Sequence, residues 1–235
     1  MTSNIGVALS QQDQEVLIID GNFSGANVAQ HFGMGFQDTS LNHVLEGDAY
    51  ITQAVSKHPA GVSVLPASIL EFNSESDNLK HSLVDFLGDK DYILIDAAAG
   101  VGDEVEAAVE ASDEVLLVSK PELPALTNAL GAKKLADELE REVIGLVLNE
   151  VDNEDYEVTN EDVRDLVEEE LVGKVPNHRD VKESIALRNP VVSHKPKSRA
   201  SHAIKDVAHR IRGEEPPERG LGTKVRYRLD EMNLI

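Results

Sequence analysis

The sequence predicts one α/β domain with a doubly wound, mostly parallel β-sheet flanked by helices. Short runs of buried-type residues, such as Val16–Asp20 and Tyr92–Asp96, are apolar on both faces up to a final aspartate, which is typical of strands covered by helices on both faces. Segments with helical patterns alternate with these runs along the chain. In such sheets ligands bind beyond the carboxyl ends of the strands, so we expect a site where these runs stop.

The predicted elements alternate through the first 212 residues. Strands are expected at 16–20, 62–65, 92–96, 114–119, 143–149 and 171–175. Helices are expected at 1–12, 26–32, 40–45, 79–87, 104–112, 124–139, 160–170, 180–188 and 198–211. Pro66 and Pro176 close two of the strands, and Pro124 lies in the first turn of its helix, where its missing N–H costs nothing.

The composition changes after residue 212. Glycine and proline are frequent in 213–220, which indicates a linker. We therefore assign 1–212 to one domain and 213–235 to a linker and C-terminal tail.

The composition is that of a globular protein whose core is built from aliphatic residues. Hydrophobic residues make up 41% of the chain, aromatic residues only 4%, and tryptophan is absent. No apolar run has the length of a membrane-spanning helix and the N-terminus does not resemble a signal peptide, so we expect a cytoplasmic location. Cysteine is absent, which excludes disulfides, thiolate zinc sites and iron–sulfur ligation by these residues.

The chain is strongly acidic, with 43 acidic and 22 basic residues and a net charge of −21. This charge argues against nonspecific nucleic-acid binding by the whole surface. A salt-rich cytoplasm would screen the self-repulsion, so we expect a halophile; an ordinary acidic cytosolic protein is the alternative.

Asp96 ends a predicted central strand, and Gly100 follows in a flexible turn. A carboxylate at this position commonly holds the magnesium of a nucleotide, and a glycine lets backbone N–H groups approach a phosphate. The alternative is that Asp96 only caps the next helix.

Seven segments, in this order, resemble motifs of the MinD/ParA family of deviant P-loop ATPases, and its archaeal MinD-like members most closely. They are Val16–Asp20 with Asn27, Ser40–Gly47, Val62–Ala67, Ile93–Gly100, Val118–Glu122, Gly145–Asn149 and Gly173–Pro176. The resemblance covers about residues 1–212 and implies the P-loop NTPase fold.

The resemblance also implies ligands and roles. Asp20 and Asp96 would organise Mg²⁺, directly or through water, and Gly100 would sense the γ-phosphate of ATP. Asn149 and the Pro176 loop would hold the adenine. ATP binding would drive dimerisation, and the dimer would position cell-division or surface machinery.

The family's phosphate-binding loop, Gly-rich and ending in Gly-Lys-Thr or Gly-Lys-Ser, has no counterpart in the sequence. Residues 1–9 resemble the helix that follows that loop, and the central strand before the loop is also missing. We expect either a start about 10–30 residues further upstream or a paralogue without a P-loop. Such a paralogue would be non-catalytic and would dock on an intact relative as a heterodimer, with weak or absent ATP binding.

Asn22 is a second departure, because the family has a carboxylate there that orients or activates the attacking water. An asparagine can hydrogen-bond a water but cannot take its proton. Even with a phosphate-binding loop restored, we therefore expect hydrolysis to be slow.

Two weaker features concern partners. The tail places Val225, Leu229 and Met232 on one side of a possible helix that could touch a membrane surface, or could dock on a partner. A basic cluster in residues 195–212 makes a ParA-like DNA-partitioning role an alternative, although DNA binding is not expected. The histidines, including His178, are expected at the surface.

Overall fold

The structure is a computed structural model that describes residues 1–68, 79–86, 88–220, Thr223 and Tyr227. Helices and mostly parallel strands alternate along it, which confirms the predicted fold class. The strands are β1 (Val16–Gly21), β2 (Ser56–Lys57), β3 (Ser63–Leu65), β4 (Tyr92–Ala97), β5 (Glu114–Ser119), β6 (Glu142–Val151) and β7 (Leu171–Pro176). The α-helices are α1 (Thr2–Ser10), α2 (Val28–His31), α3 (Leu41–Leu45), α4 (Ile51–Ala54), α5 (Leu79–Ser82), α6 (Asp103–Glu110), α7 (Leu123–Glu138), α8 (Asn160–Val167), α9 (Arg179–Ala186), α10 (Val191–His194) and α11 (Arg199–Ile211).

Local chemistry explains several helix ends. The Thr159 hydroxyl accepts a hydrogen bond from the Asp162 N–H, and the Asp162 carboxylate accepts one from the Thr159 N–H, so α8 starts with a capping box. α8 stops at Val167 because Glu168 adopts a left-handed conformation with φ 57°, three residues before the predicted end. Ser198 caps α11 by accepting from the Ser201 N–H.

The described strands form two sheets. The first has the order β2-β3-β1-β4, with β1 parallel to β3 and β4 and with β2 antiparallel to β3. The second has the order β5-β6-β7 and is entirely parallel. β1 lies between two neighbours and is buried along its whole length, as its apolar residues 16–19 predict.

β4 and β5 border a gap between the two sheets. Leu94 of β4 and Leu116 of β5 pack against the same core cluster, which α1 and α11 help to build. On the other face, Ala98 just after β4 and Val115 of β5 pack against one cluster formed by α6 and α7. The same helices therefore cover both strands, yet the two strands are not hydrogen-bonded to each other.

This gap corrects one prediction about β4. The strand was expected in the middle of a sheet, but it forms the edge of the four-stranded sheet, and every residue of Tyr92–Asp96 keeps some exposure. The two inward edges are those expected if a central strand is missing. Unpaired backbone groups along such edges are costly unless another strand or water satisfies them.

Sequence patterns missed three short elements, α4, β2 and α10, which have two to four residues each. Segments of this length carry too little periodicity to be recognised. No helix in the part of the chain that the structure describes is long and apolar enough to cross a membrane. The predicted tail helix lies outside the described residues apart from Tyr227, as does residue 87 at the end of the helix predicted at 79–87.

Candidate functional site

Asp20 and Asp96 lie side by side at the carboxyl ends of β1 and β4, where the strand register places them directly opposite each other. Asp20 is completely buried. Its Oδ2 accepts hydrogen bonds from the backbone N–H groups of Asn27 (2.8 Å) and Val28 (2.9 Å), and its Oδ1 accepts from the Asn22 N–H (3.3 Å). Asp20 thereby holds the loop between β1 and α2.

Burial raises the pKa of Asp20 from its usual 3.8 to about 6. The backbone hydrogen bonds oppose this increase, whereas the neighbouring Asp96 charge adds to it. Asp20, buried beside a second carboxylate, is short of positive charge, so a cation bound beside it would favour its ionised form.

The Asp96 carboxylate accepts a hydrogen bond from the Thr2 hydroxyl at the start of α1. It does not cap the following helix, because the N-cap of α6 is Gly102. The alternative interpretation of Asp96 as a helix cap is therefore wrong. Gly100, in the turn between them, is exposed and has φ +100°, a conformation that side-chain-bearing residues rarely adopt.

The two carboxylates fit a magnesium ion that keeps most of its water. Mg²⁺ in nucleotide sites is commonly bound by one or two carboxylates together with phosphate oxygens and waters. The described residues contain no cluster of three or more potential metal ligands, so they do not form an all-protein cage. Asp20, Asp96 and Gly100 are called the carboxylate half of the site below.

A second part of the site is a cavity of about 330 Å³ at the same edge of the molecule. Asn149 near the end of β6 and Pro176 at the end of β7 line it, together with Met1 and Asn4 at the start of α1. Its size suits a small ligand such as a nucleoside. Asn149, Pro176 and this cavity are called the cavity half of the site below.

The first turn of α1 connects the two halves. Thr2 binds Asp96, while Met1, Ser3 and Asn4 line the cavity. The structure therefore brings the two groups of predicted residues to one edge, within reach of a single elongated ligand.

Two histidines of the cavity were not recognised from the sequence. His178, expected at the surface, lines the cavity with only 13% of its side chain exposed, and its Nδ1 accepts from the Asp180 N–H. His31 reaches the cavity from α2. Burial lowers the pKa of His31, although Asp96 acts in the opposite direction. No local sequence signal marks either residue, because only folding brings them to the cavity.

A family profile confirms the resemblance. The ParA profile, described as NUBPL iron-transfer P-loop NTPase, matches residues 1–212. The chain belongs to the ParA family.

The curated ParA relatives include ATP-binding and cell-division proteins. An uncharacterized ATP-binding protein of Methanocaldococcus jannaschii is 32% identical over 90% of this chain and 82% of its own length. The septum site-determining protein MinD of Synechocystis is 29% identical over 92% of this chain and 85% of its own length.

Solved ParA-family structures have the same fold. The cell-division ATPase MinD of Pyrococcus furiosus matches with a TM-score of 0.85 and 28% identity, over 90% of this chain and 91% of its own. MinD of Pyrococcus horikoshii, complexed with Mg-ADP, matches with a TM-score of 0.85 and 25% identity, over 89% and 88%. The MinC:MinD complex of Aquifex aeolicus matches with a TM-score of 0.80 and 25% identity, over 93% and 91%.

Iron transfer, which the description of the ParA profile mentions, commonly depends on cysteine thiolates. The sequence contains none, so these 235 residues cannot hold an iron–sulfur cluster through cysteine.

Proposed function

We propose that this protein is a MinD-like nucleotide switch that binds ATP–Mg²⁺, dimerises around it, and positions cell-division or surface machinery. Asp20 and Asp96 organise Mg²⁺ and the loop after β1, and Gly100 lets backbone N–H groups approach the γ-phosphate. Asn149 and the Pro176 loop hold the adenine. The protein acts in the cytoplasm or at the membrane surface.

One observation carries this proposal: the carboxylate half and the cavity half lie at the same edge and are joined by the first turn of α1. A cavity that contains Asn149 and Pro176, next to a carboxylate pair, suits a ligand with an uncharged base at one end and a metal-bound polyphosphate at the other. The septum-site name of the Synechocystis relative supports the positioning role.

The gap between β4 and β5 bears on how the phosphates are held. Both strands are covered by the same helices, and each lacks a hydrogen-bonded neighbour on its inward side among the described residues. We infer that a further parallel strand from outside residues 1–235 fills this gap and brings the phosphate-binding loop with it. If the strand precedes Met1, the protein is a complete ATPase and forms homodimers.

The second candidate function is a non-catalytic partner. In this case an intact paralogue supplies the phosphate-binding loop, and the chain acts as one half of a heterodimer. The same unpaired edges favour this candidate, because they offer a partner two strands to pair with.

The test is to isolate the protein from its own cells, measure its intact mass, and determine its oligomeric state with and without ATP–Mg²⁺. A mass above 25.6 kDa together with nucleotide-dependent homodimers supports the ATPase. A mass of 25.6 kDa with co-purification of a lysine-loop relative supports the partner role. A protein that binds no nucleotide and no relative contradicts both. Molar salt should be kept throughout, because the net charge is −21.

A further inference from the structure

We propose that Glu104 supplies the carboxylate that the loop after β1 lacks at Asn22, so that the switch hydrolyses its own nucleotide. Glu104 orients the attacking water together with Asn22. This inference rests on the proposed function and adds to it a residue that the sequence motifs do not mark.

Glu104 connects the two loops of the carboxylate half. It lies in the first turn of α6, directly after the Gly100 turn. Its Oε1 accepts a hydrogen bond of 3.0 Å from the backbone N–H of Ser24, in the loop that follows Asp20. α6 also packs against β1 and β4, so this bond forms beside the carboxyl ends of both strands.

The second carboxylate oxygen of Glu104 has no partner. Oε2 is shielded from solvent, and no described residue donates a hydrogen bond to it. A buried carboxylate oxygen without a donor is unfavourable. A rearrangement that brought a hydrogen-bond donor to this oxygen would therefore stabilise the loop after β1.

Asn22 and a water are suitable donors. Asn22 begins the tight turn that contains Ser24, and this turn is closed by the Gly25 N–H donating to the Asn22 carbonyl. The Asn22 carboxamide lies against Gly25, about 3.0 Å from the place where a β-carbon on that glycine would be. A carboxylate at position 22 would instead add negative charge to a turn that already contacts Glu104.

The chemical step balances with these groups. The oxygen of the water bonds to the γ-phosphorus while its proton moves toward Glu104 Oε2, and the Asn22 carboxamide holds the water in line. The bond between the γ-phosphorus and the bridging oxygen breaks, and ADP leaves with that electron pair. Glu104 then returns the proton to the phosphate product.

The experiment compares Glu104→Gln with Glu106→Gln in the full protein produced in its own host. Glutamine keeps the acceptor for the Ser24 N–H but cannot take a proton. Single-turnover ATP hydrolysis by Glu104→Gln should fall about 100-fold, while ATP affinity and the hydrogen-exchange protection of the Ser24 amide stay unchanged. Glu106, exposed on the same helix, should tolerate the substitution. Adding Asn22→Asp to Glu104→Gln should restore part of the rate.

Each other outcome overturns the inference. Unchanged hydrolysis in Glu104→Gln removes the proposed role, and so does a wild type that binds ATP and dimerises but never hydrolyses it; both leave the proposed function standing. Loss of ATP affinity or of Ser24 protection in Glu104→Gln would make the residue structural. A wild type that binds no nucleotide rejects the proposed function itself, and this inference with it.

Discussion

The carboxylate half and the cavity half lie at the same edge of the molecule but are built differently. In the carboxylate half, Asp20 is buried and its oxygens accept backbone hydrogen bonds from a loop only two to eight residues away. In the cavity half, Asn149 and Pro176 meet residues from α1 and α2, far away in the sequence, around open space. Local backbone contacts hold Asp20 in the first half, whereas tertiary packing alone forms the second. Substitutions should therefore affect charge-dependent steps in the first half and base selection in the second.

The largest effect is expected from Asp96→Ala, because it removes a proposed magnesium ligand and the partner of the Thr2 hydroxyl. ATP-dependent dimerisation, measured by light scattering after gel filtration, should be abolished. Asp89→Ala is the matched control, since Asp89 is exposed beyond the opposite end of β4. Dimers that form normally in Asp96→Ala would remove Asp96 from the site.

The second largest effect is a pH dependence of ATP affinity, which we expect to arise from the carboxylate half alone. Because the pKa of Asp20 is raised to about 6, Mg²⁺-dependent ATP affinity should rise between pH 5 and 7 and fall about tenfold per pH unit below about 6. Asp20→Asn should remove this dependence. Titration calorimetry with ATP–Mg²⁺ measures the affinity of both proteins across this pH range. An affinity that does not change with pH in the wild type would show that Asp20 does not bind the metal.

Asp20 also makes the free energy of unfolding depend on pH, and its raised pKa fixes the direction of this dependence. A carboxyl whose pKa is raised on folding binds its proton more tightly in the folded state than in the unfolded chain. Its contribution to stability is therefore complete below pH 3.8 and is lost as the pH rises through about 6. Without Mg²⁺, the free energy of unfolding from urea titrations should decrease over this range because of Asp20, and Mg²⁺ should reduce the decrease.

In the cavity half, Asn149→Ala should weaken discrimination between ATP and GTP about tenfold, because a hydrogen-bonding side chain at the base would be lost. Competition binding of the two nucleotides measures this ratio. Asn128→Ala, on the exposed side of α7, should leave it unchanged. Equal losses of ATP and GTP affinity would show that Asn149 does not distinguish adenine from guanine.

The smallest effect concerns backbone conformation at the turn after β4. Gly100→Ala should cost about 1–2 kcal/mol in the free energy of unfolding, since φ is +100° and no atom within 4 Å would otherwise meet the new β-carbon. Gly35→Ala is a matched control with equally open surroundings and without a positive φ. Urea denaturation of both variants measures the difference, and equal stabilities would contradict the conformational requirement at Gly100.

Much of the fold and part of the site could be predicted. Buried runs ending in Asp20 and Asp96 predicted two strand-end carboxylates, and parallel pairing in register placed them side by side. Asn149 and Pro176 were found through family motifs, and the structure places both on one cavity. His31, His178 and Glu104 were missed, because an isolated histidine or a glutamate in an acidic helix has no distinguishing pattern.

The sequence by itself determined the alternation of helices and strands and the carboxylates at the strand ends, because side-chain periodicity and turn residues act over a few neighbouring positions. Tertiary structure alone decided the meeting of α1 with both halves and the bond between Glu104 and Ser24, which are 80 residues apart. These features depend on which faces pack together. Which faces pack together depends on the core as a whole and cannot be predicted from a short segment of sequence.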